Sequence, residues 1–223
     1  MINRVDASAS SLDGRRHSAC WGRLVLLSVL LSLLSACAVR EQRPEGAWLD
    51  ERQALFAEHP VWSVSGRLSL SDGERGGQLA FDWQANGDQH DVRLRTVMGG
   101  SQWRLRFEPG FAHLVGSDVG ELFGSHPDDL ASQAIGWPVP VADLAWWIRG
   151  LVPPEADFGS LRFADDGTLS DADNPPWRLA FQRFAMDAGA LMPSRLQADS
   201  APYRVRIALR NWHLESQSET NSL

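Results

Sequence analysis

WSVSGRLSL at residues 62–70 and LAFDWQA at residues 79–85 decide the fold, because both alternate apolar with polar along their length. Trp62, Val64, Gly66, Leu68 and Leu70 interleave with Ser63, Ser65, Arg67 and Ser69. Leu79, Phe81, Trp83 and Ala85 interleave with Gln78, Asp82 and Gln84. A period of two sends neighbouring side chains to opposite faces of an extended chain, so each stretch is a strand with one oily side. Asp72-Gly73 turns the chain between them, and Asn86-Gly87 is a strong hairpin signal after the second. The pattern then repeats. Val92, Leu94 and Thr96 alternate with Asp91, Arg93 and Arg95, and beyond Gly99-Gly100, Trp103, Leu105 and Phe107 alternate with Arg104 and Arg106. Pro109-Gly110 turns the chain once more, into residues 111–115. This is an antiparallel meander with an apolar face and an arginine-rich face. Such a sheet twists and keeps its oily side concave or covered.

Helices flank and interrupt the strands. Residues 48–59 (WLDERQALFAEH) carry Trp48, Leu55 and Phe56 at helical spacing, and Pro60 stops them. A second helix is expected from Pro127, capped by Ser125, with Asp128 and Asp129 at its positive end. Trp137-Pro138-Val139-Pro140 breaks it, and a third helix is expected over residues 141–149, closed by Gly150. Residues 155–176 read as an acidic loop. Strands resume at residues 177–182, 192–198 and 203–210. The fold class is therefore mainly β: a single incomplete antiparallel β-barrel of about ten or eleven strands, with short helices covering an apolar cavity. The domain is assigned to residues 47–214 and a polar tail to 215–223.

LVLLSVLLSLLSAC, residues 24–37, decides where this domain works. Its Leu-, Val- and Ser-only core suits a secretory signal and falls short of the ~20 residues a spanning helix needs. Arg15, Arg16 and Arg23 supply the positive flank, and Leu34-Ser35-Ala36-Cys37 looks like a bacterial lipobox with Cys37 as the lipidated residue. The plainer alternative is an ordinary signal peptide with a cysteine close by. On the lipobox reading, residues 1–36 are removed and residues 37–46 form a lipidated tether. Ala38, not Asp, follows Cys37, which by resemblance directs the protein to the periplasmic face of the outer membrane.

The chain carries a net charge of −7, and −9 once the four arginines and two aspartates of residues 1–36 are gone. An acidic domain is a poor partner for nucleic acid or an anionic lipid surface. All of its basic side chains are arginine, which excludes lysine chemistry. Cys37 is the sole cysteine after the leader, so the domain has no disulfide and no cysteine metal site. His59, His90, His113, His126 and His213 are scattered and read as surface or turn residues, and no metal or cofactor is expected. No nucleophile sits beside a base in a known spacing, so an enzyme is not expected.

What remains is the oily face. Leu68, Phe81, Trp83, Leu94, Trp103, Leu105, Trp146 and Ile148 are the candidates for an acyl-chain cavity. They serve equally as solid core, although Trp is an awkward filler because its N–H wants a partner. The turn Val97-Met98-Gly99 is apolar where hairpin tips are normally polar. Either Met98 continues the inward face of Val92 and Leu94, or it projects as an adaptable prong.

The lipobox, Ser65-Gly66-Arg67-Leu68, LAFDWQ at 79–84, the Met-Gly turn within 94–105, Gly136-Trp137-Pro138-Val139-Pro140, LAWWIRGL at 144–151 and Asn211-Trp212 together resemble the LolB family of outer-membrane lipoproteins. The resemblance spans most of residues 48–214. It implies an unclosed barrel with a helical lid over a hydrophobic cavity. The implied task is to accept lipid-modified client lipoproteins, as a monomer, from the periplasmic carrier LolA and insert them into outer-membrane lipid without nucleotide. In that family the protruding loop commonly carries Leu between Pro and Gly. Val97-Met98-Gly99 stands in that place and is the expected membrane-insertion loop. A structural lipoprotein of outer-membrane machinery, with no ligand cavity, is the competing expectation.

Overall fold

The computed structural model describes residues 46–98, 100–154 and 161–216, all within one compact unit, Gln42–Leu223. Cys37, the leader, the tether and most of the tail lie outside the described residues, as does Gly99.

Among the described residues, eleven strands form one antiparallel sheet. They are β1 (Val61–Ser71), β2 (Gly76–Asn86), β3 (Gln89–Thr96), β4 (Gln102–Glu108), β5 (Phe111–Gly116), β6 (Gly120–Gly124), β7 (Leu161–Phe163), β8 (Leu169–Asn174), β9 (Trp177–Asp187), β10 (Ala190–Ser200) and β11 (Tyr203–Glu215). The order is β6-β5-β4-β3-β2-β1-β11-β10-β9-β8-β7. First and last long strands, β1 and β11, meet in the middle, so the meander folds back on itself and β6 and β7 are left as edges. The barrel is incomplete, as the family resemblance implied.

The inward positions are those the period of two selects. Leu68, Leu79, Phe81, Trp83, Val92, Leu94, Leu105 and Ile207 are all buried. Gly66 belongs to this row for a steric reason. A Cβ there would lie 2.4 Å from the Ala208 carbonyl oxygen and 2.6 Å from the Phe81 ring, which covers the glycine from the paired strand. Gly66→Ala is accordingly expected to destabilise the domain by about 2–3 kcal/mol, since the carbonyl belongs to a central strand that cannot yield. A urea midpoint unchanged from the parent would refute that account.

Among the described residues three helices accompany the sheet: α1 (Ala47–Glu58), α2 (Pro127–Ile135) and α3 (Val141–Trp147). Three expectations need correction. His126, not Ser125, occupies the cap position of α2, and no side chain bonds that end. Asp128 instead accepts a hydrogen bond from the Ala142 amide at 2.9 Å, tying the start of α2 to the start of α3. The stretch read as an acidic loop contains β7 and β8: Leu169, Ala172 and Asn174 point inward while Asp171 and Asp173 pair with Arg162 and Arg178 outside. Its alternation was hidden because the inward set includes Ala and Asn. β6 was missed as well, since its five residues expose both faces except at Leu122.

Candidate functional site: an apolar interior under two helices

Helices α2 and α3 lie against the concave side of the sheet. Leu68, Phe81, Trp83, Val92, Leu94, Leu105 and Ile207 form one wall, and Ala131, Ile135, Val139, Val141, Leu144 and Ile148 form the other. Between them is an apolar void of about 30 Å³, with no polar lining surface. That is the share of one water molecule in the liquid. The interior is thus nearly filled, and what fills it is the pair of helices, not the sheet's own tryptophans.

Six of the eight expected cavity residues line this void: Leu68, Phe81, Trp83, Leu94, Leu105 and Ile148. Trp103 and Trp146 do not. Trp103 is buried, but its indole lies over Gly116, where a Cβ would come within 2.4 Å of the ring. Its Nε1 has no hydrogen-bond partner among the described residues. Trp146 leaves the buried side of α3 and rests with its ring 4.5 Å from the Arg149 guanidinium. Its neighbour Trp147 takes the inward place instead, fully buried and edge-on to Trp177 at 6.2 Å. Adjacent tryptophans on a helix cannot both face the sheet, and the alternation of strands says nothing about which one does.

The far end of the lid is held by α1. Trp48 Nε1 donates to the Gly150 carbonyl at 2.9 Å, and Arg52 Nε donates to the Arg149 carbonyl at 2.9 Å. Arg52 is almost wholly buried, and its guanidinium also donates to the Leu191 carbonyl and lies over Trp48 and Phe56. Sequence reasoning passed over it. Its signal was its position: 48, 52 and 56 fall on one helical stripe. Arg149 sits among Phe56, Trp62 and Trp146, and burial pushes its pKa down to about 10. The other end of α3 carries Asp143, which accepts from Asn174 at 3.2 Å. Burial raises the pKa of both Asp128 and Asp143, and for Asp143 the Asp128 charge adds to the effect.

His90 departs from the expected surface placement. It stacks on Phe107 at 4.6 Å and accepts a hydrogen bond from Trp83 Nε1 at 3.0 Å. Burial, helped by the Arg149 charge, lowers its pKa to about 4. Because the unfolded histidine keeps a pKa near ~6.5, the unfolded chain binds more protons between these values and stability rises with pH across that window. Urea stability is expected to fall by on the order of 3 kcal/mol from pH 7 to pH 4 through this group, a slope that His90→Phe should remove. An unaltered slope in the variant would clear His90 of the effect.

The Val97–Met98 turn projects. Met98 is 91% exposed and Val97 46%. The base is fixed by Thr96 N donating to Ser101 O at 3.1 Å and Val97 N to Gln78 O at 3.3 Å. Of the two readings left open by its parity, the inward one is excluded.

The family model described as "Outer membrane lipoprotein LolB" matches residues 60–212, which run from the first strand almost to the end of the last. The chain belongs to the LolB family. Among curated LolB relatives, the "Outer-membrane lipoprotein LolB" of Marinobacter nauticus is 28% identical over 206 residues, covering 86% of this chain and 98% of that protein. That of Alkalilimnicola ehrlichii is 27% identical over 196 residues, covering 86% and 98%. Among solved structures, a LolA superfamily protein from Nitrosomonas europaea superposes with a TM-score of 0.54 at 9% identity, covering 78% of this chain and 94% of that one. At that identity the likeness is one of fold alone: the chain shares its sheet-and-helix architecture with that structure.

Proposed function

We propose that this chain is an outer-membrane receptor that takes lipid-modified proteins from the periplasmic carrier LolA, shelters their acyl chains under α2 and α3, and releases them into the membrane. The observation that carries the reading is the apolar void roofed by two short helices inside an unclosed sheet. At about 30 Å³ the void admits no acyl chain, so the helices must lift for a client to enter. Lifting exposes Ile135, Val139, Val141, Leu144 and Ile148, each worth about 1.5–3 kcal/mol when buried. A tail entering at ~0.8 kcal/mol per methylene replaces that burial in kind. The exchange is nearly balanced, which is what a reversible receptor without nucleotide requires. Closed helices also keep the greasy wall from water between clients.

In this reading residues 1–36 are the signal, Cys37 carries the lipid anchor, residues 37–46 are the tether, and the domain faces the periplasm. Two or more acyl chains hold a protein stably on a bilayer. Val97 and Met98 enter the membrane at delivery.

The filled interior is also what a purely structural lipoprotein would show, and one assay separates the two. LolA loaded with an acylated client is mixed with the purified protein, and client transfer is followed without nucleotide. Transfer, together with displacement of a fluorescent fatty acid by lipopeptide, supports the receptor. A client that stays on the carrier and a probe that never binds leave the structural role.

A further inference from the structure

The outward face of the β3–β4 hairpin, next to the Met98 turn, carries four arginines. Arg93, Arg95, Arg104 and Arg106 surround an outer concavity of about 800 Å³ that reaches Gly100 at the foot of the turn. Two of them are neutralised: Arg95 Nη1 lies 2.7 Å from Asp82 Oδ2, and Arg104 chelates Asp91. Arg93 and Arg106 are exposed and have no carboxylate within ion-pair distance among the described residues. Arg93 faces Arg104 across the strand pair, but Arg104 is already held by Asp91, so the cations left without a carboxylate are Arg93 and Arg106. The total charge of −7 argues against an anionic partner only if it is felt at the hairpin. At physiological salt, charges more than ~8 Å away are screened, so the local excess of cations governs.

We propose that the outer face of the β3–β4 hairpin is a docking surface for anionic phospholipid headgroups, with Arg93 and Arg106 as its free cations and Met98 as its apolar tip. The inference rests on the reading that the Met98 turn meets a bilayer. The fit is chemical. Guanidinium groups bind phosphate oxygens in pairs, and guanidinium groups spaced along adjacent strands present a row of such forks. An oblique approach brings tip and face to the lipid together: Met98 crosses the headgroup layer while the arginines stay in it. Each basic side chain at an anionic surface strengthens attachment about fivefold, so the two free arginines confer a preference of roughly 25-fold for anionic over neutral lipid.

The test is arginine footprinting of the full chain reconstituted into vesicles, with phenylglyoxal labelling read by mass spectrometry. Vesicles of phosphatidylcholine alone are compared with vesicles holding about 30 mol% of the anionic lipid phosphatidylglycerol. Labelling of Arg93 and Arg106 is expected to fall about fivefold in the anionic vesicles and to recover at ~0.5 M NaCl. Arg178, exposed on β9, serves as the reference and should not change. Equal labelling of Arg93 and Arg106 in the two lipids overturns the proposal. So does protection that appears only when LolA is added, which would make the face a protein contact. A Met98→Glu chain separates this inference from the one beneath it. Protection retained in that variant while client delivery is also retained removes the insertion role of Met98 and leaves the arginine face standing.

Discussion

Met98→Glu is expected to lower client delivery to liposomes by roughly 70- to 400-fold while leaving acceptance from LolA within about twofold of the parent. The asymmetry follows from position. Met98 is 91% exposed on a turn and lines no part of the void, so a carboxylate there neither perturbs the interior nor the helices that roof it. A charge at the bilayer centre costs about 2.5–3.5 kcal/mol on insertion scales, and that penalty falls on the membrane step alone. Met98→Leu should keep full delivery, because the requirement is for apolar reach. Two-step measurement with a loaded carrier and a fluorescent client resolves acceptance from release. Matching losses at both steps would mean that Met98 touches the carrier or the client and not the lipid.

The second large effect concerns the wall and the roof, which should respond with opposite signs. Leu94→Glu puts a carboxylate into a void without polar lining, and binding of a fluorescent fatty acid should drop at least ~100-fold as the acyl chain meets a buried polar group. Leu144→Ala removes packing from α3 instead. Truncating a buried leucine costs about 2–5 kcal/mol, and here the loss falls on the closed arrangement, whose contact with the sheet it weakens. Probe binding should therefore tighten by tenfold or more while the urea midpoint falls. The pairing guards against misfolding as an explanation, since a damaged fold weakens both. Should Leu144→Ala bind the probe less well than the parent, α3 is a structural wall and not a lid. Trp103 drops out of this set: its indole is committed to the Gly116 backbone, so charge placed there tests β4–β5 packing and not the void.

How far the chain could be read in advance differs between its parts for a consistent reason. Strand faces were legible because a period of two is a local property. From Trp62 to Phe107 nearly every inward residue was assigned without knowing what it would touch. Gly66 and Gly116 were harder. Each is occupied by an aromatic ring from the neighbouring strand, which becomes apparent once the register pairs Gly66 with Phe81 and Trp103 with Gly116. Arg52 lay on a visible stripe yet ran against the rule that arginine is solvated. Its burial depends on the Arg149 and Leu191 carbonyls, supplied by segments about a hundred residues away or more.

Pattern alone established that this is an antiparallel sheet with one oily face and that an apolar turn sits between β3 and β4, while its motifs resembled the LolB family. It left undecided whether the oily face is vacant, and whether Met98 points in or out. Those answers came with the packed chain. Volume is a property of elements brought together from distant parts of the sequence: α2 and α3 are threaded between β6 and β7, and they return to fill the concavity made by strands on both sides. The direction of a turn residue likewise depends on where its hairpin ends relative to the sheet, and strand parity, which repeats every two residues, carries no information beyond the last rung of the ladder.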